Sequence, residues 1–336
     1  MSIKLLCSAL YSNNRKGIKK YSVSILLALS VWFIWGLYTY PDGCSVLYKY
    51  WQVSVTMIFG SIIAGATSEG GGAIAFPVFT KVLQIPASDA KVFSLAIQSV
   101  GMVAASIAIF MMRIKVLWRV IAWVSLGGVF GMLIGSLFLA PVLVPAFIRM
   151  LFTVLAVSLA LTLIFLSAGF RLRHTVMPEI RVKEIGILLV VGVLGGVVSG
   201  LVGSGIDMIC FSVLVLLFRV CESIATPTSV ILMAVNSLIG VLLHLFVLDG
   251  INEQVQAYWL AAVPVVVIGA PLGAYFCSRM HHLHIRYLLI ALIFIELLSS
   301  LWILAFDVTL IAFSVSMLML FLSLMIWMSK VKTYVS

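Results

Sequence analysis

Charge is scarce in this chain. Only 10% of its 336 residues are Asp, Glu, Lys or Arg, where a soluble domain carries roughly a quarter. Extended polar stretches are equally scarce: 63% of the residues are hydrophobic and the mean hydropathy is +1.25. That composition excludes a soluble enzyme. Cysteine is sparse and unpatterned. Cys7, Cys44, Cys210, Cys221 and Cys277 show no CxxC spacing and read as small apolar residues. There is no phosphate-binding GxxxxGK[ST], no HExxH and no GxSxG elbow, so nothing points to ATP-driven pumping by this chain, to a metal centre or to a bound cofactor. The net charge of +10 is not clustered as a nucleic-acid footprint.

What is present is a series of apolar runs near the length that crosses a bilayer as a helix, too long for barrel strands. They lie at about 21–39, 51–68, 73–83, 90–112, 116–139, 145–168, 184–203, 206–219, 223–248, 256–278, 286–306 and 308–329. The expected fold is an all-α polytopic membrane protein of about ten spans. Segments 73–83 and 206–219 are short. Eleven helical residues rise roughly 17 Å, about half a bilayer core. Each reads as a half-helix that forms a broken hairpin with the span before it.

If each hairpin enters and leaves on one side, 17 of the 21 Lys and Arg residues fall on the side of the N- and C-termini. That side is then cytoplasmic, and the protein is expected in a plasma (bacterial inner) membrane. Residues 1–20 with the following apolar run are expected to form an uncleaved first span. Lys49, Lys81, Lys91 and Arg149 fall on the outer side. Trp32, Trp35, Trp51, Trp118, Trp259, Trp302 and Trp327 are expected near the interfaces.

The chain also resembles itself. A shift of 135 residues aligns Gly60 with Gly195, Gly65 with Gly200, Gly70 with Gly205, Phe76 with Phe211 and Ser94 with Ser229. A shift of 138 aligns Gly131 and Gly135 with Gly269 and Gly273. The expected organisation is an N-tail and first span (1–50), repeat one (51–168), a basic cytoplasmic linker (169–183), repeat two (184–306) and a last span with C-tail (307–336). The repeats begin on opposite sides and are therefore inverted. Inverted repeats with broken helices at matching positions point to a secondary transporter.

Each break is rich in glycine: Gly70, Gly71 and Gly72 in "GATSEGGGAIAFPVF" (65–79), and Gly203 and Gly205 in "GLVGSGID" (200–207). The half-helix after such a break starts with free N–H groups and a partial positive charge, a site for anions. Thr67, Ser68 and Ser204 supply hydroxyl donors. Ser94, Gln98, Ser229 and Asn236, on the spans after each hairpin, either line the same cavity or bond across helices.

"GGGAIAFPVF", its degenerate second copy and "NSLIGVLLHLFVLDGI" (236–251) resemble the sulfite exporter TauE/SafE family over about residues 51–306. The resemblance implies a permease for sulfite or small organosulfonates, some members moving related sulfur or carboxylate anions. Two departures stand out: Glu69 stands beside the glycines, and Ile206 and Asp207 replace glycines in the second copy.

Glu69 and Asp207, each at a break, admit two compatible readings. They take up and release a proton, coupling flux to H+, or they cap the adjacent half-helix. A bound Na+ balancing the carboxylates is a further alternative for the coupling ion. Glu296 either pairs or faces a cavity. Arg149 and Arg286, at matching repeat positions, are expected as interfacial anchors, with entry gating as the alternative. Lys81 is expected to snorkel and Arg219 to anchor a cytoplasmic end, and His244 reads as a satisfied interhelical histidine. "HHLH" (281–284) lacks acidic or cysteine neighbours for a metal. The partners expected are a small anionic solute and the lipid bilayer, with homo-oligomerisation open. An anion channel built on the same helix dipoles is the runner-up function, and an intramembrane carboxylate enzyme the third.

Overall fold

The computed structural model describes residues 22–68, 78–166, 181–304 and 306–331. Among them every regular element is helical. In chain order these are α1 (Ser22–Thr39), α2 (Gly43–Lys49), α3 (Trp51–Ala66), a π-helical turn (Val78–Val82), α4 (Ala87–Met111), α5 (Trp118–Leu133, prolonged by a π-helical stretch Ile134–Leu139) and α6 (Pro145–Leu166). Then follow α7 (Val182–Val202), α8 (Ile206–Leu216), α9 (Glu222–Phe246), α10 (Glu253–Arg279), α11 (His282–Ile303) and α12 (Val308–Lys330). Eight helices are long and apolar enough to span a bilayer, and the bent pair α1–α2, turning through 97°, makes up to nine. That agrees roughly with the expected ten. α2 is an addition that the polar "YPDG" before it concealed. Glu69, Gly70, Gly71 and Gly72 lie outside the described residues, as do the basic N-tail, most of the linker and the Lys81 side chain.

The two ends of the bundle are marked by cross-links. At one end Gln256 Nε2 donates to Tyr38 Oη (2.7 Å) and Asn252 Nδ2 to Asp89 (3.3 Å). At the other, Leu117 N donates to Thr228 Oγ1 (3.1 Å) and Arg219 Nη2 to the Val331 carbonyl (3.3 Å). α7 leaves the second end and α8 folds back toward it. Tyr50, before α3, and Phe79, in the π-helical turn, both lie at the opposite end, packed on Tyr258 with centroids 5.3 and 6.0 Å away.

Small residues set the helix spacing, as expected where apolar lipid supplies no drive for helices to separate from it. The two most intimate pairs are α3 with α10 and α5 with α7. A methyl group at Gly65 would strike the backbone of Ala270 and Ala274. One at Gly200 would lie 2.9–3.0 Å from backbone atoms of Ser136 and Met132. The shifts of 135 and 138 carry one contact set onto the other: Gly65 to Gly200, Met132 and Ser136 to Ala270 and Ala274. They likewise carry the Gly131 contact with Val193 and Gly196 onto the Gly269 contact with Ile58 and Ser61.

α10 is central and contains Pro264 and Pro271. A proline cannot donate to the carbonyl four residues back. The carbonyl orphaned by Pro264 is that of Leu260, and it receives the Trp35 indole N–H at 2.8 Å. Trp32 Nε1 donates to the Pro264 carbonyl (2.8 Å) and Trp259 Nε1 to the Ala96 carbonyl (3.0 Å). These three tryptophans therefore lock helices together, and their N–H groups are not available to the interface. Trp51, Trp118, Trp302 and Trp327 are exposed.

Candidate functional site

The described break lies between α7 and α8. Gly203 (φ +92°) and Gly205 (φ +133°) take left-handed backbone that side chains resist. A methyl at Gly203 would also lie 2.7 Å from the Lys91 carbonyl and 2.8 Å from Ser94 Cβ. Both constraints select glycine, and together they press the break against α4.

That contact satisfies the open end of α7. The Gly203 carbonyl accepts from Gln98 Nε2 at 3.0 Å and from Ser94 Oγ at 3.4 Å. Gln98 Nε2 is held in place by the Ser94 carbonyl (3.0 Å) and hydroxyl (2.8 Å). Ser94 and Gln98 thus bond across helices to the break, one of the two readings the sequence leaves open.

The tip of α8 departs from the expected open anion cradle. Asp207 Oδ1 accepts from both Gly205 N and Met208 N at 3.0 Å. Ser199 Oγ, which nothing in the sequence singles out, accepts from Ile206 N at 3.0 Å. The carboxylate thus caps its own half-helix, and the amides are already engaged.

What remains there is a set of buried polar atoms with no partner among the described residues: Asp207 Oδ2, Ser204 Oγ, Gln98 Oε1 and both amide atoms of Asn236; Ser68 Oγ, at the end of α3, is likewise unpartnered among them. Each of these residues is at most 2% exposed. Asn236 Oδ1 and Ile206 Cδ1 converge on Gly128, where a methyl would lie 3.1 and 2.7 Å from them. Leaving one buried polar atom unbonded costs about 1–3 kcal/mol, and folded proteins leave few of them. Two expected members do not join this set. Ser229 Oγ donates to the Thr226 carbonyl (2.8 Å) and Thr67 Oγ1 to the Ile63 carbonyl (3.0 Å), each on its own helix.

Several charged groups sit differently from expectation. Arg286 is no interfacial anchor: it is 7% exposed and its Nη2 donates to Glu222 Oε1 at 2.7 Å, tying α11 to α9. No local pattern announces that pair, whose members lie 64 residues apart. His244 is not a satisfied histidine, since both ring nitrogens are buried and unbonded. Glu296 Oε1 accepts from Thr153 (3.0 Å) and Ser300 (3.2 Å) between α6 and α11. His281 Nδ1 accepts from Leu283 N, capping α11. Among the described residues no His, Cys, Asp and Glu group is arranged to hold a metal.

Residues 53–299, running from α3 almost to the end of α11, match the family model described as Sulfite exporter TauE/SafE. No curated protein and no solved structure matches. With this match over most of its length and a bundle of bilayer-length apolar helices, the chain belongs to the sulfite exporter TauE/SafE family of membrane anion transporters.

Proposed function

We propose that this protein is a secondary transporter of sulfite or a small organosulfonate, working by alternating access at the α7–α8 break, with one proton carried per anion. The observation that carries the reading is the cluster of buried, unpartnered polar atoms at that break. Ser204 Oγ and Asn236 Nδ2 are donors able to hold an oxyanion. Asp207 Oδ2 is an acceptor that would repel one. A carboxylate and an anion share a low-dielectric pocket only if one charge is cancelled. Oδ1 is occupied by two backbone N–H groups, so a proton would settle on Oδ2 and turn that oxygen into a third donor. Ground-state capping and proton carriage are thus compatible roles of one side chain. Glu69, Gly70, Gly71 and Gly72 are assigned to the same site from the sequence alone.

Residues 51–168 and 184–306 are read as two inverted repeats, supported by contacts that obey the same shifts as the sequence. The end of the bundle holding Arg113, Arg219 and Arg279 is read as cytoplasmic from its surplus of basic residues. Rocking one repeat against the other would open the break alternately to each side.

The test is transport in proteoliposomes. Asp207→Asn keeps a cap and a donor but cannot release a proton. It should lose accumulation of sulfite driven by a pH gradient by at least about tenfold while retaining sulfite counterflow. Undiminished gradient-driven accumulation would remove the proton role. Absence of counterflow in the unmodified protein would remove the transporter reading.

A further inference from the structure

Two further polar side chains lie along the seam between α4 and α9, beside the break, whose Gly203 presses on the Lys91 carbonyl. These helices run antiparallel, with Leu95 packed on Gly240. One turn further along, toward the beginning of α4 and the end of α9, Lys91 and His244 occupy matching register positions on the two helices. Lys91 is 8% and His244 3% exposed. Neither imidazole nitrogen is bonded. The ammonium has no ion pair or side-chain hydrogen bond among the described residues. The acids at this end, Asp89, Asp249 and Glu253, leave it unpaired: Asp89 bonds Ser88 and Asn252, while Asp249 and Glu253 are exposed.

A buried lysine is rarely tolerated without a counter-charge, and within a membrane such a residue is costly and marks a pathway. Gln98 lies two helical turns further along α4, roughly 10 Å, so this pair stands directly above the central cluster. The opposite end of the seam lacks an equivalent. The shift of 135 carries Lys91 to Thr226 and Ile109 to His244, so Thr226 opposes Ile109 there. The cation nearby, Arg286, is already neutralised by Glu222.

We infer that Lys91 and His244 form an anion-recognition subsite at the outer mouth of the α4–α9 seam, taking a small sulfur oxyanion before it reaches the break. The ammonium supplies charge and the imidazole N–H direction. This rests on the reading of the break as an anion site and of this end as the outer one.

The probe is sulfite, presented to right-side-out and inside-out membrane vesicles holding the full chain. Lys91→Gln should raise the KM from the outer face about tenfold and leave the KM from the inner face and the maximal rate within about twofold, and Lys91→Arg should restore the outer KM. His244→Ala should raise the outer KM about threefold. Should Lys91→Gln fail to assemble, the unmodified protein still decides: added salt should raise the outer KM more than the inner. Equal effects on both faces, or none, overturn the subsite while leaving transport intact. Failure of the unmodified protein to move sulfite from either face overturns the central site and this one together.

Discussion

On the proposed reading of two inverted repeats, the two ends of the α4–α9 seam are equivalent places, yet their chemistry is opposite. At one end Lys91 and His244 are buried, and neither has an ion pair among the described residues. At the other, Arg286 is neutralised by Glu222 at 2.7 Å. Arg149 matches Arg286, but the position matching Glu222 is Ala87, so repeat one cannot build the same pair. Backbone spacing is shared because glycine contacts set it. Side-chain charge is free to diverge because it touches none of those contacts. On the proposed rocking mechanism, a symmetric frame with unlike ends would move in both directions and still bias which side attracts an anion.

The comparison breaks most severely at the paired end. Glu222→Gln leaves a buried guanidinium without its charge partner, which should lower stability by about 3–5 kcal/mol, read as a fall in the thermal midpoint of the detergent-solubilised protein. Glu222→Gln combined with Arg286→Met should recover most of that loss. Non-recovery would show that the pair does more than balance charge.

The shared frame is tested next. Gly65→Ala and Gly200→Ala insert a methyl at equivalent helix contacts. Each should cost about 1–3 kcal/mol by overpacking, with Gly65→Ala the worse because its methyl would strike the Ala270 carbonyl. A neutral result at one site in the same thermal assay would mean the two contacts are not equivalent.

The smallest effect concerns α10 against its counterpart α5. Pro264 corresponds to Leu126 at the shift of 138, so only α10 has an orphan carbonyl for Trp35 to fill. Trp35→Phe should cost about 1 kcal/mol. The cost should be smaller in a Pro264→Leu background, where the substituted residue regains a backbone N–H to bond the Leu260 carbonyl. Equal losses in the two backgrounds would refute the proline explanation.

Much of this architecture is legible in the sequence. Segment boundaries expected from apolar runs agree within a few residues with α3 to α12, because hydropathy and bilayer thickness dictate them. The break at Gly203–Gly205 is visible because only glycine takes those angles cheaply. Asp207 stands out by its position, though its capping geometry is one of two readings the sequence leaves open. Ser199 is invisible: its seven-residue separation from Ile206 becomes a contact only when α8 folds back.

By itself, then, the sequence determined that the chain is helical, membrane-embedded and interrupted at glycine-rich points, since hydropathy and backbone freedom are local properties. Tertiary structure alone decided which charges meet. Lys91 and His244 lie far apart in the chain, and no local rule states that antiparallel α4 and α9 register Leu95 on Gly240. That register leaves one cation bare and the opposite one paired. The difference arises because burial and electrostatic partnership depend on distance in space, which the order of residues does not specify.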